Sequence, residues 1–177
     1  MRWLLIFFMM IFLPSMELWS EDIVSGPRVG DKLEGFKADG VVGSVEGKEV
    51  DYLAERKGEL TVFLFIPQAN FGRPTYRFMK ALDAELPDNS AGVAIWLNDN
   101  KEDAKEYLSR AAKSLNFGKI SCGAFGDSSG PKGWGINNDA HLTVVVTQAG
   151  KATAVFTYKV VNETDAAKVL EQIKKKK

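Results

Sequence analysis

Nearly unbroken apolar runs alternate with amphipathic segments along the chain. The runs at 60–66 and 92–97 are rich in β-branched and aromatic residues. Runs of this length and composition are typical of strands that are buried on both faces. A shorter apolar segment at 120–125 predicts a third strand.

Helical periodicity fills the intervals between these strands. Apolar residues recur every three or four positions over 75–86, 104–115 and 166–173. This spacing places them on one face of a helix, so each segment is predicted to be an amphipathic helix packed on the sheet. Pro87 ends the first helix, and the Asn-Asp-Asn triplet at 98–100 supplies an N-cap for the second.

The remaining elements complete an α/β pattern. Strands at 141–147 and 152–158 are joined by a Gln-Ala-Gly-Lys turn, which predicts a β-hairpin. Residues 29–58 hold a short strand, glycine-marked turns and one helical turn at 52–56. Strand–helix alternation followed by a hairpin and a closing helix predicts parallel strands with right-handed crossovers and antiparallel strands at one edge.

The start of the chain has the pattern of a targeting sequence. Residues 1–20 contain one early arginine and an apolar run over 3–13, which is too short to span a membrane and suits a signal peptide. Cleavage after Ser20 predicts an exported protein, periplasmic or secreted. Leu18 is an unusual residue near such a cleavage site, so an uncleaved membrane anchor is the alternative. Residues 21–28 are expected to be a mobile lead-in, followed by one domain over 29–177.

Composition limits the classes of function that the sequence supports. The chain has 177 residues, and its 23 basic and 23 acidic side chains balance, so nothing points to nucleic acid. The only cysteine is Cys122 and the only histidine is His141, which excludes a disulfide within the chain and gives no metal-ligand spacing. No cofactor is expected.

Short matches near the start of the domain carry a family resemblance. Val29-Gly30-Asp31, Phe36, Gly47-Lys48 and the segment 53–58 resemble the opening of the redoxins, that is, the alkyl hydroperoxide reductase/thiol-specific antioxidant group and the TlpA-like thioredoxins. The strand at 60–66, its loop and the following helix resemble the active-site unit of the thioredoxin fold. The resemblance covers about residues 29–173. It implies a thioredoxin-like three-layer α/β fold with a central mixed sheet flanked by helices.

The motif that carries redox chemistry in those families is degenerate here. The positions that match the Cys-x-Pro-Cys motif are Gly72, Arg73, Pro74 and Thr75, so the proline is retained and both sulfurs are missing. Alignment on the peroxiredoxin pattern Cys-Pro-Thr instead places Arg73 at the peroxidatic position. Neither register supplies a cysteine, so a conventional thiol oxidoreductase is disfavoured.

His141 matches the place of the cis-proline in the resemblance, or Leu142 does in an alternative register. Peroxiredoxins carry an activating arginine at the place of His141, which a histidine imitates only when it is protonated. One interpretation is a polar residue at the start of a strand that is bonded locally. The other is a ligand contact or a proton shuttle beside Asn70 and Arg73.

Two hypotheses for function follow. The first is an exported, non-catalytic binding domain whose partner is an unknown protein or small molecule, with a surface formed by Asn70, Phe71, Arg73, Tyr76 and His141. The alternative is a thiol-dependent oxidoreductase, a peroxiredoxin-like antioxidant protein acting through Cys122.

The second hypothesis depends on the environment of Cys122. Because Cys122 alternates with Ile120 and Ala124, it is expected to face the core and to be inert. The redox hypothesis needs it exposed and with a lowered pKa.

Overall fold

The structure is a computed structural model that describes residues 23–175. The predicted signal peptide therefore lies outside the described residues. The strands are β1 (Lys37–Val42), β2 (Glu49–Asp51), β3 (Leu60–Pro67), β4 (Ser90–Leu97), β5 (Ile120–Phe125), β6 (Leu142–Gln148) and β7 (Lys151–Tyr158). The helices are α1 (Tyr52–Glu55), α2 (Arg73–Glu85), α3 (Lys101–Leu115) and α4 (Asp165–Lys174).

The seven strands form one mixed sheet in the order β2-β1-β5-β4-β3-β6-β7. β3, β4 and β5 are parallel, and β6 and β7 continue the sheet antiparallel beside β3. The predicted parallel core and edge hairpin are confirmed. The sequence did not predict that β1 pairs antiparallel with β5, which carries the N-terminal hairpin to the opposite edge.

One face of the sheet is covered by α2, α3 and α4. Alternate residues of β3, namely Val62, Leu64 and Ile66, point into this layer, where they pack with buried side chains of all three helices. Because β3–α2–β4 and β4–α3–β5 advance in the same direction across the sheet, right-handed crossovers place both helices on the same face. The N-terminal ends of α2 and α3 therefore lie at one end of the sheet.

The opposite face carries α1 and irregular chain around one tryptophan. Trp134 is fully buried, with its ring centroid 5.1 Å from that of Phe63 and 5.0 Å from that of Phe65. Its indole N–H donates to the carbonyl oxygen of Glu34 at 2.9 Å. This buried, bonded tryptophan fixes the segment between β5 and β6 that ends at His141.

Ser25, within the segment expected to be a mobile lead-in, is hydrogen-bonded to distant parts of the chain. The Ser25 hydroxyl accepts from the backbone N–H of Asn137 at 2.9 Å and lies 2.6 Å from the hydroxyl of Thr143. The hydroxyl of Thr157 donates to the Ser25 carbonyl oxygen at 2.9 Å. These partners are more than a hundred residues away in sequence, so the Gly-Pro composition of the segment does not reveal them. Ser25 is thus tied by hydrogen bonds to β6, to β7 and to the segment before β6.

Candidate binding site at the start of helix α2

The loop after β3 places the degenerate motif, residues 72–75, at the end of the sheet. Gln68–Asn70 forms a 3₁₀ turn, Gly72 is the N-cap of α2, and Pro74 lies in its first turn. No side chain caps this helix, and its first turn contains no acidic residue. Proline suits the first turn because the N–H that it lacks has no partner within the helix.

A hydrogen-bonded network occupies the position of the second motif cysteine. Thr75 is fully buried, and its hydroxyl donates to the carbonyl oxygen of Asn70 at 2.7 Å. His141 Nε2 lies 3.2 Å from the same hydroxyl oxygen. The Thr75 hydroxyl has one proton, and it is donated to the Asn70 carbonyl. In the bond between Thr75 and His141, Nε2 of His141 is therefore the donor. The side-chain amide of Asn70 closes the network on the Ala140 carbonyl oxygen at 3.5 Å.

His141 is held in this network as a neutral ring. Its backbone N–H donates to the Tyr158 carbonyl oxygen at 2.7 Å, which fixes the residue at the start of β6. Partial burial lowers the pKa of His141 below its ordinary value. It is therefore not the cation that would imitate the activating arginine of peroxiredoxins. No peptide bond within residues 23–175 is cis, so the cis-proline feature of the redox families is missing at His141 and at Leu142.

Phe71, Arg73 and Tyr76 face a different direction, toward α3. The Phe71 ring stacks on that of Trp96 with centroids 4.8 Å apart, and the Tyr107 ring lies 5.2 Å from that of Trp96. The Tyr76 hydroxyl donates to the Ser114 carbonyl oxygen at 3.0 Å. The five predicted surface residues thus divide into two groups around the start of α2, with Asn70 and His141 on one side and Phe71, Arg73 and Tyr76 on the other.

A cavity of about 480 Å³ lies between α2 and α3. Its lining residues are Phe71, Gly72, Arg73, Tyr76, Tyr107, Ala111, Ser114 and Leu115. The contribution of α3 was not predicted, because the apolar stripe over 104–115 includes Tyr107 and was expected to pack on the sheet. Tyr107 is 43% exposed and lines the cavity. An aromatic residue at the edge of an apolar stripe was the available signal.

Cys122 lies in the core, as expected. Its side chain is fully buried on β5, which β4 separates from β3. Burial, with a smaller contribution from the charge of Asp83, raises the pKa of its thiol to about 12. A reactive thiol needs exposure and a lowered pKa, and Cys122 has the opposite of both.

No metal site accompanies these groups. Within residues 23–175, no three His, Cys, Asp or Glu side chains lie together in a way that could hold a metal ion.

The sequence matches no protein-family model and no curated protein. Solved structures with similar folds include a protein described as a thiol:disulfide interchange protein, DsbE, from Chlorobium tepidum, at 17% identity and a TM-score of 0.60, covering 83% of this chain and 96% of that one. A yeast mitochondrial 1-Cys peroxiredoxin matches at 15% identity and a TM-score of 0.59, covering 83% and 75% of the two chains. An exposed lipoprotein thioredoxin, Etrx1, from Streptococcus pneumoniae matches at 16% identity and a TM-score of 0.52, covering 78% and 99%.

These likenesses confirm the fold. The chain has the thioredoxin-like fold of the redoxins, with a mixed seven-stranded sheet and four helices in the described residues. The start of α2 contains no cysteine, since Gly72, Arg73, Pro74 and Thr75 stand there. Where the redoxin resemblance predicts the second cysteine of the motif, the structure has a buried hydroxyl bonded to a histidine.

Proposed function

We propose that this chain is an exported, thioredoxin-fold binding domain that recognises a partner at the start of α2 without thiol chemistry. The observation that carries the proposal is the network at the degenerate motif, where the Thr75 hydroxyl is buried between the Asn70 carbonyl and His141. The one thiol of the chain, Cys122, lies in the core.

The direction of the hydrogen bonds argues against Thr75 as a nucleophile. A catalytic base must accept the proton of the hydroxyl that it activates. Because the Asn70 carbonyl can only accept, the Thr75 hydroxyl proton is assigned to that bond, and a histidine that carries its proton on Nε2 then donates to the same hydroxyl oxygen. The pair stabilises the loop and does not form a nucleophile–base couple.

The residues on the other side of the helix start favour binding. Tyr107 and Arg73 are of the types that contribute most to protein interfaces, and Phe71 is of a type that is enriched in them. The aromatic rings are fixed by their contacts with Trp96, so little ordering is needed when a partner binds.

Export rests on the apolar run near the N-terminus. One similar structure is that of an exposed lipoprotein thioredoxin, which agrees with a location outside the cytoplasm. None of the helices within 23–175 has the length and apolar character required to cross a membrane. Intact-mass measurement of the exported form tests cleavage after Ser20, and a mass that still includes Met1 would contradict it.

Site-specific photo-crosslinking tests the binding proposal. A photoreactive benzoyl-phenylalanine replaces Ser114, an exposed residue that lines the cavity, in one variant and Lys151 in a control, because Lys151 is exposed at the start of β7, at the opposite end of the sheet. The expected result is a defined adduct with exported proteins at position 114 only, competed by excess wild-type chain but not by Phe71→Ala. Equal labelling at the two positions, or none at 114, would overturn the proposal.

A further inference from the structure

The cavity between α2 and α3 has the form of an open groove. Its floor contains the buried side chain of Leu115 and the half-buried side chains of Phe71 and Tyr76. Its rim contains exposed residues, among them Arg73 and Tyr107. An apolar floor with a solvated rim suits an extended segment of chain that inserts one large side chain and keeps its flanks in water.

The groove carries the positive charge of Arg73, which no described residue neutralises. Among the side chains that the structure describes, Arg73 is the one charged group that lines it, and its guanidinium forms no ion pair or hydrogen bond with any of them. On the facing helix, Glu106 is paired with Arg110 at 3.1 Å. The first turn of α2 contributes no carboxylate. The groove therefore combines an apolar floor with one free positive charge at its rim.

We infer that the occupant of this groove is an acidic peptide segment of a partner protein, in which a large apolar side chain is adjacent to a carboxylate. The apolar side chain would contact Phe71, Tyr107 and Leu115, and the carboxylate would pair with Arg73. Such a pair is strongest when both oxygens of the carboxylate meet the guanidinium fork. This inference rests on the proposed binding function and adds the chemistry of the partner.

Features beside the groove favour a peptide over a polyanion. Gly72 has no side chain, and a Cβ built on it would meet nothing nearer than 3.9 Å, so the backbone of a bound segment can approach α2 closely. Nucleic acids and anionic membranes are bound by clusters of basic residues. The described lining of the groove contains a single guanidinium, and the chain has zero net charge, so the groove does not form such a cluster.

Peptide binding to the purified chain tests this inference. Three fluorescein-labelled peptides of about nine residues share a central Phe, which is flanked by Asp and Glu, by Asn and Gln, or by Lys. Fluorescence anisotropy gives the Kd of each for the wild type, Arg73→Ala, Arg73→Glu and Tyr107→Ala. Arg77→Ala is the matched control, because Arg77 is also exposed and unpaired among the described residues but does not line the groove.

The acidic peptide is expected to bind most tightly. Arg73→Ala should weaken it about tenfold, Arg73→Glu should shift the preference to the Lys peptide, and Arg77→Ala should change the Kd by less than about twofold. Tyr107→Ala should weaken all three peptides.

Other outcomes separate this inference from the proposed function. Equal binding of acidic and neutral peptides, unaffected by Arg73→Ala, would overturn the acidic preference and leave a binding groove. No binding of any peptide, with crosslinks retained at position 114, would overturn the peptide inference alone. Loss of both signals would overturn the two proposals together.

Discussion

The hydroxyl of Thr75 is the atom that most distinguishes this site from a dithiol motif. Replacing Thr75 with Val keeps the shape and the buried methyl group and puts a second methyl group in place of the hydroxyl. Two hydrogen bonds are lost, one to the Asn70 carbonyl at 2.7 Å and one from His141 at 3.2 Å. At about 1 kcal/mol of net stability for each bond, the variant should lose about 2 kcal/mol of unfolding free energy.

Urea unfolding monitored by tryptophan fluorescence measures this loss. In a domain of this size, about 2 kcal/mol corresponds to a fall of about 4–8 °C in Tm. A double-mutant cycle with His141→Leu isolates the Thr75–His141 bond, for which we expect a coupling energy of about 1 kcal/mol.

Two results would refute the reasoning. A loss below about 0.5 kcal/mol in Thr75→Val would mean that the buried hydroxyl contributes no net stability. A coupling energy near zero would mean that His141 and Thr75 act independently, and that the network does not hold the start of α2 against β6.

Three further predictions follow from the same region and from the core. The double variant Gly72→Cys/Thr75→Cys should form an internal disulfide on oxidation, because the extended Gly72 backbone and the space around it accept a side chain. Mass spectrometry should show the disulfide as a loss of about 2 Da. If no disulfide forms between the two thiols, the motif does not lie at positions 72–75. Tyr52→Phe should leave the unfolding free energy unchanged or slightly higher, because the buried Tyr52 hydroxyl has no hydrogen-bond partner among the described residues; a loss above about 1 kcal/mol in urea unfolding would contradict this. Folding lowers the pKa of His141, so the unfolded chain binds more protons than the folded chain, and the unfolding free energy should fall as pH drops below about 6.5. His141→Leu should remove this contribution to the pH dependence of stability. An NMR titration that gives His141 a raised pKa in the folded chain would contradict the prediction.

The parallel core of the fold could be predicted because its signals are local. The apolar run that became β3 and the periodicity that became α2 are each readable within a dozen residues, and the structure confirms both. The order of strands and the pairing of β1 with β5 could not be predicted, because they depend on contacts between distant segments. The hydrogen bonds of Ser25 could not be predicted for the same reason.

The candidate site was predicted in part. The redoxin resemblance placed Asn70 and His141 together, and the structure joins them through Thr75. It could not show that Arg73 turns away toward α3, because helical rotation separates neighbouring residues of the first turn. Tyr107 was overlooked because an aromatic residue on an apolar stripe has the same sequence pattern whether it fills the core or lines a groove.

The reactivity of Cys122 in the folded chain tests the central claim most directly. A reagent that labels thiols by disulfide exchange is applied between about pH 6 and 9, with and without peroxide. The rate of labelling is compared with that of the urea-unfolded chain. With the thiol fully buried and its pKa raised to about 12, we predict that labelling occurs only on unfolding and that peroxide does not alter it. Rapid labelling of the folded chain, with a pKa below the ordinary value and protection by peroxide, would contradict the account and show that thiol chemistry persists at Cys122.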